Sequence, residues 1–255
     1  KFRPNPNSSS SEFFLHGENL TFLSAYINGA AVTPVITEAG LSCTVPDGPF
    51  IWQSEVEINP SANTELSGLY MSNGMFCTQC EAEGFRRITY YPDRPDVMAP
   101  FDVTIHSDLP YALSNGEPMR DEGQTRRWQD PWPKPAYLFA LVAGEFQVVS
   151  DHFTTASGKP VDLNIYVRDG DQDKCAFALE ALKASMAWDE RVYGREYDLS
   201  VFNIVAVDDF NMGAMENKGL NIFNSSAVLA SPETTVDGNF ERIEAIIAHE
   251  YFHNW

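Results

Sequence analysis

No run of about eighteen apolar residues occurs in the 255-residue chain, so no segment reads as a membrane-spanning helix. Positive charge is also scarce. Seventeen Lys and Arg stand against 36 Asp and Glu, a formal net charge of −19, and a surface of that sign repels phosphate backbones, which argues against nucleic acid as a partner. Most of the acid reads as a solubilising surface, although it also suits cationic peptide amino groups as ligands. Cysteine is limited to Cys43, Cys77, Cys80 and Cys175. Cys77 and Cys80 have the spacing of a redox or zinc-knuckle pair, but no second pair accompanies them and a knuckle needs four ligands. The four are expected as free thiols in a reducing cytosol, with a local disulfide or a peripheral metal as the alternative. No serine sits in a Gly-x-Ser-x-Gly elbow, and no internal repeat is present. His16, His106 and His152 have no partner histidine nearby and read as surface or core residues.

What the chain does have is a globular composition, 44% hydrophobic and 13% aromatic, and a chemically pointed ending. His249-Glu250-Tyr251-Phe252-His253-Asn254-Trp255 places two histidines four positions apart. On a helix that spacing stacks both imidazoles on one face, within reach of one metal ion, and sets Glu250 beside it. The residue types match metal-assisted hydrolysis: zinc brings the pKa of water to about 7, and a carboxylate that is not a ligand accepts the proton. Upstream, Phe240, Ile243 and Ile247 recur at helical spacing, Asp237 or Asn239 is expected as the cap, and Glu241 and Glu244 suit the positive helix start. The alternative, a core helix whose histidines only bond within the interior, would bury polar groups at a cost of several kcal/mol each.

A second constellation, Asn211-Met212-Gly213-Ala214-Met215-Glu216-Asn217-Lys218-Gly219, precedes the helix. Its glycines permit close backbone approach, and it lacks apolar periodicity, so it is expected as a loop or edge strand. Taken alone it fits an ordinary polar loop as well as a site lining.

GAMEN at 213–217 followed by HEYFHNW at 249–255 resembles the gluzincin aminopeptidases, specifically the bacterial aminopeptidase N (alanyl aminopeptidase) branch. VAVDDFNMGAMENKGLNIFN, CTQCEAEGFRRITYYPDRPDV and QDPWPKPAYLFALVAGEF are similar to that branch too, so the likeness spans roughly 55–255. The resemblance implies a zinc-dependent enzyme that removes N-terminal amino acids from peptides with a free N-terminus. It implies one Zn2+ per site, held by His249 and His253, with Glu250 as general base. It further implies that Glu216 and Glu81 grip the substrate's α-amino group, that Gly213 and Ala214 offer main-chain groups to the peptide, and that Gln79 and Met212 line the first side-chain pocket. Two anionic acceptors at a fixed distance from the metal would measure the span from free ammonium to scissile carbonyl. In the family a glutamate downstream of the second histidine is the third zinc ligand. The chain is therefore expected to be an N-terminal fragment, binding zinc poorly and turning over little by itself. A monomeric, cytoplasmic parent enzyme is expected, with no nucleic-acid or membrane partner. An epoxide hydrolase of the same superfamily shares the zinc helix but not GAMEN. A catalytically incompetent homologue or peptide-binding module is the alternative of another class.

The expected architecture is mixed α/β and multidomain. Residues 1–145 show short alternating segments at Leu20–Ile27 (ended by Asn28-Gly29), Ser54–Ile58, Arg87–Tyr91, Phe101–Ile105 and Tyr137–Val142, the pattern of an antiparallel β-sandwich or saddle. Residues 146–255 read as the first half of a thermolysin-like α+β catalytic domain. There a strand at Val161–Val167 leads to a helix capped by Asp171 or Asp173 and ended by Gly194, then a strand at Leu199–Val207, the GAMEN segment, and the helix bearing the histidines. The Trp128/Trp132 and proline cluster is expected to pack at the junction of the two domains, and the serine run at 8–11 is expected as loop.

Overall fold

Asn28 and Gly29 both adopt positive φ, 51° and 83°, the backbone pair that a two-residue hairpin requires and that Asn-Gly tolerates best. Ile51 N also donates to the Asn28 side chain at 2.9 Å, so the turn is pinned to the next strand as well. The computed structural model describes residues 1–3, 5 and 13–255; the serine run lies outside them.

Two units are distinguished. The first comprises residues 1–70, 79–98 and 134–137. Its strands are β1 (Phe13–His16), β2 (Thr21–Ile27), β3 (Ala30–Ala31), β4 (Val35–Thr37), β5 (Gly40–Cys43) and β6 (Trp52–Glu57), with β7 (Gly68–Ser72) leading out of it. They form two antiparallel three-stranded sheets, ordered β1-β5-β4 and β3-β2-β6. β6 alternates half-buried and exposed positions along its length, as a strand with one solvated face must. Leu15, Leu41 and Tyr90 are buried, with Phe22, Trp52 and Val56 packed on them.

One expectation fails here. Arg87–Tyr91 is not a strand: a 3-10 turn covers Phe85–Arg87, and only Tyr91 bridges to His16. The cause is Asp93, whose carboxylate accepts from Arg86 N and Arg86 Nε, both at 3.1 Å, while Arg86 Nη2 donates to the Asp93 carbonyl at 3.1 Å. A side chain that takes the local backbone donors competes directly with a ladder, whatever the β-branched and aromatic residues beside it favour.

The second unit comprises 71–78, 99–133 and 138–255. It contains β8 (Met75–Gln79), β9 (Ala99–His106), β10 (Tyr111–Ser114), β11 (Glu117–Pro118), β12 (Thr125–Lys134), β13 (Leu141–Gly144), β14 (Gln147–Thr154), β15 (Pro160–Val167), α1 (Ala176–Tyr193), β16 (Val201–Val207), β17 (Ala214–Met215), β18 (Leu220–Asn224) and α2 (Asp237–Phe252). Small sheets form in the orders β11-β12-β9 and β10-β13-β8-β7; the main sheet runs β14-β15-β16-β18-β17. Its three inner strands are parallel and its two edges antiparallel. β16, covered on both faces, is buried at all seven positions, the continuous apolar signature of a central parallel strand. Leu163, Ile165, Leu182, Met186, Phe202, Ile243, Ile247 and Tyr251 share one core. The fold class is thus mixed and mostly β with two α-helices among the described residues, and after 160 the expected strand-helix-strand-edge strand-helix order holds except for one strand it lacked, β18, which lies between the edge strand and α2.

Three local expectations need correction. Tyr137–Val142 is a 3-10 turn (Ala136–Leu138) before β13 begins at Leu141, because backbone groups of Leu138, Phe139 and Ala140 bond to asparagine side chains and not to a neighbouring strand. Neither Asp171 nor Asp173 caps α1. Its cap position is Cys175 without a side-chain bond, and the Asp171 carboxylate is taken by Lys174 and Arg168 instead. Nor do Asp237 and Asn239 cap α2, which starts after Val236 without a side-chain bond. Gly194 does end α1, at φ 65°, its N–H reaching the Glu190 carbonyl at 3.1 Å. No helix of the described residues is long and apolar enough to cross a membrane.

Candidate active site

The helix α2 is set by its core face. Ile243, Ile247 and Tyr251, one turn apart, are 1%, 1% and 0% exposed. Successive residues turn by about 100°, so His249 and His253 fall on the neighbouring, exposed flank. Glu250 lies between the two faces and is buried at 6% exposure. Phe252 stacks against Trp188 of α1 at 5.2 Å, and Tyr251 meets Tyr197 and Phe202 at 6.2 and 6.0 Å. These contacts fix the rotation of the helix end and hence the direction of the imidazoles.

The two histidine rings lie 4.7 Å apart, nearly perpendicular, with their Nε2 atoms 3.1 Å from each other. Two nitrogens on one tetrahedral zinc, each about 2.05 Å from the ion, would be about 3.3 Å apart. The pair therefore fits a shared cation with little adjustment. Ligand atoms of His253, Glu216 and Glu250 also lie within 4.8 Å of one another. Carboxylates gathered so closely with imidazoles favour a divalent cation, and imidazole with carboxylate suits zinc.

Glu216 arrives from the sheet edge. β17 is only two residues long, pairing Ala214 with Phe223 and Met215 with Ile222. The Gly213 carbonyl accepts from Asn224 N at 2.9 Å, which extends the hairpin by one bond. A Cβ on Gly213 would stand 3.7 Å from Ile246 of α2, so hairpin and helix are neighbours at this point. Met212 is 39% exposed, whereas Ala214 is buried. The Glu216 carboxylate is half-buried and makes no hydrogen bond among the described residues, which leaves its oxygens available to a donor from outside. Gln79 and Glu81 belong to the first unit: Gln79 ends β8, buried at 1% exposure, and Glu81 opens the following turn, exposed. The structure thus brings together His249, His253, Glu250, Glu216 and Gly213 within one unit.

Sequence reasoning passed over what holds this hairpin. Asn115, Asn217 and Asn221 are each 1% exposed. Asn217 lay in a motif read for its glutamate, and Asn115 in a Ser-Asn-Gly turn with no periodic signal around it. None of the four cysteines is in a disulfide. Burial, with Asp171 and Asp173 nearby, pushes the Cys175 thiol up to about 11, and burial with Asp93 raises Cys80 still further.

Residues 3–138 match the Peptidase M1 N-terminal domain, and residues 177–255 match the Peptidase family M1 domain. The chain is 54% identical to aminopeptidase N of Caulobacter vibrioides over 94% of its length, and 50% identical to aminopeptidase N of Escherichia coli over 97%. It spans 29% and 30% of the length of those relatives. Among solved structures, Legionella pneumophila aminopeptidase A in complex with aspartic acid superposes with a TM-score of 0.92 at 36% identity, covering 99% of this chain and 31% of that one.

Proposed function

The chain belongs to peptidase family M1, and from that membership we propose that it carries the metal-binding and amine-anchoring part of a zinc aminopeptidase. The observation that carries the reading is the 3.1 Å approach of the His249 and His253 Nε2 atoms beside the carboxylates of Glu250 and Glu216. His249 and His253 would hold Zn2+. When bound, the cation supplies Lewis acidity toward a peptide carbonyl and acidifies water into a nucleophile near neutral pH. Glu250, adjacent to both ligands but sunk against the core, accepts the proton from the attacking water and returns it to the leaving amine. Glu216 accepts charge-assisted hydrogen bonds from the substrate ammonium and so fixes the first peptide bond over the cation. Gly213 and Ala214 offer main-chain groups to the peptide, and Met212 lies against its first side chain. The substrate-binding roles of Gln79 and Glu81 rest on the motif match alone.

With Glu250 and Glu216 so employed, the chain contributes two of the three protein ligands a catalytic zinc needs. The isolated 255-residue chain then binds zinc weakly and turns over little. A domain boundary at 145/146 belongs to the same reading, supported by family matches that end at 138 and resume at 177. So do a monomeric, cytoplasmic enzyme and peptides with a free N-terminus as its substrates.

The test is turnover of free and N-acetylated forms of one peptide by the intact protein that carries this chain, with His249→Ala and His253→Ala beside it. The expected result is cleavage of the free peptide alone, lost in both variants together with bound zinc. Equal cleavage of the acetylated form, or variants that keep zinc and activity, overturns the assignment.

A further inference from the structure

Glu216 stands beyond the last paired residue of a two-residue edge strand, so the ladder alone cannot set where its carboxylate points. The chain then enters a tight turn: Leu220 N donates to the Asn217 carbonyl at 2.9 Å, and Gly219 takes φ 77°. That turn is held almost wholly by buried amides. Asn221 Nδ2 donates to the same Asn217 carbonyl at 3.0 Å. Asn217 Nδ2 donates to the carbonyls of Leu138 and Phe139 at 3.1 and 3.4 Å. Asn115 Nδ2 donates both to the Lys218 carbonyl at 3.1 Å and to the Leu138 carbonyl at 3.0 Å, and Asn115 Oδ1 accepts from Ala140 N at 2.7 Å.

Asn115 thus uses both amide hydrogens and its oxygen to join two segments: the Leu138–Ala140 stretch, and the carbonyl two residues after Glu216. Gly116 beside it donates its N–H to the Lys218 carbonyl at 3.3 Å, and a Cβ on Gly219 would come within 2.9 Å of that nitrogen. The two backbones meet with no room for a side chain. A buried amide whose every strong group is engaged has one rotamer available, and a turn held by it has one position. Removing it would leave the Ala140 N–H without its acceptor and take from the Lys218 and Leu138 carbonyls one of the two donors each has, leaving Gly116 N and Asn217 Nδ2 respectively.

We propose that Asn115 is a positioning residue for the Glu216 carboxylate: by holding the Lys218 carbonyl it sets the span between the amine anchor and the His249/His253 pair, and so the preference for substrates with a free α-amino group. The proposal deepens the aminopeptidase reading and rests on it. Asn115 touches neither substrate nor cation in this role, and its effect passes through the backbone of residues 216–218.

The readout that separates positioning from plain support is a ratio. In the intact protein, inhibition constants are measured for a zinc-binding amino-acid hydroxamate and for its analogue lacking the α-amine. Loss of fold or of metal weakens both inhibitors alike, whereas displacement of Glu216 weakens only the first. Asn115→Ala is expected to lower the preference for the amino form about tenfold, the scale of a hydrogen-bonding group lost from a buried network, with zinc content unchanged. Asn115→Asp keeps the acceptance from Ala140 and loses both donations, and it carries the test where the alanine variant does not fold. Glu216→Gln should collapse the same ratio, and Asn115→Ala on that background should add nothing, since both act on one interaction. A ratio untouched by Asn115→Ala and Asn115→Asp but collapsed by Glu216→Gln overturns the role of Asn115 alone. A ratio untouched by Glu216→Gln overturns the amine-anchor reading itself.

Discussion

Glu250→Gln separates a general base from a metal ligand, because the geometry places this carboxylate close enough to be either. Its ligand atom lies within 4.8 Å of those of His253 and Glu216, yet the helix sinks it to 6% exposure, between the core face and the flank bearing the histidines. The histidines already stand 3.1 Å apart at Nε2, the spacing of two direct ligands. Glutamine has the same shape, so the fold and the two imidazoles stay as they are, while the amide cannot accept a proton. For a base, the loss is the usual contribution of positioned proton transfer, about 10²–10⁴ in kcat, equivalent to about 3–5 kcal/mol in the barrier. Zinc affinity should hardly change. The assay pairs kcat on a free peptide with metal content after dialysis against a graded series of chelator concentrations. Loss of zinc in step with activity would make Glu250 a ligand and refute the assignment, as would retained kcat.

Burial and charge lead to three more expectations. Ile247, 1% exposed on the core face of α2, should cost about 3 kcal/mol when cut to alanine, whereas Val236, 66% exposed before the helix, should cost under about 0.5 kcal/mol; equal losses in denaturant titrations would deny that the Ile247 face anchors the helix. Of the four thiols, only Cys43 is partly exposed, so a native titration with a thiol reagent should give one fast equivalent, with the remaining three released by denaturant. Fast modification of Cys175 would contradict its burial and raised pKa. Burial, aided by Tyr111, lifts Tyr166 from 10.0 to about 12. Because the folded value lies above the unfolded one, the stabilising difference is complete below pH 10 and is lost as pH rises toward 12, by up to roughly 2–3 kcal/mol. Tyr166→Phe should therefore lose less stability than the unsubstituted protein across that interval, and parallel decline of the two would refute it.

The sequence by itself determined the elements whose signals are local or periodic. Asn28-Gly29 dictates its own hairpin through positive φ, Gly194 ends α1 because a left-handed residue is cheapest there, and the Phe240/Ile243/Ile247 spacing marks α2 before any partner is known. The histidine spacing likewise puts both imidazoles on one flank, since four residues make about one turn. Tertiary structure decided the rest. Arg87–Tyr91 has strand composition, but the clamp between Arg86 and Asp93, seven positions apart, takes a backbone donor next to it, and no propensity scale registers such a pair. Asp171 looks like a helix cap until Lys174 and Arg168 draw its carboxylate away. The Glu216 hairpin is legible as a motif, yet what holds it comes from Asn115, 103 positions before the Lys218 carbonyl that it binds. A buried amide acts through partners that only the folded chain brings within hydrogen-bonding distance, and periodicity carries no record of them.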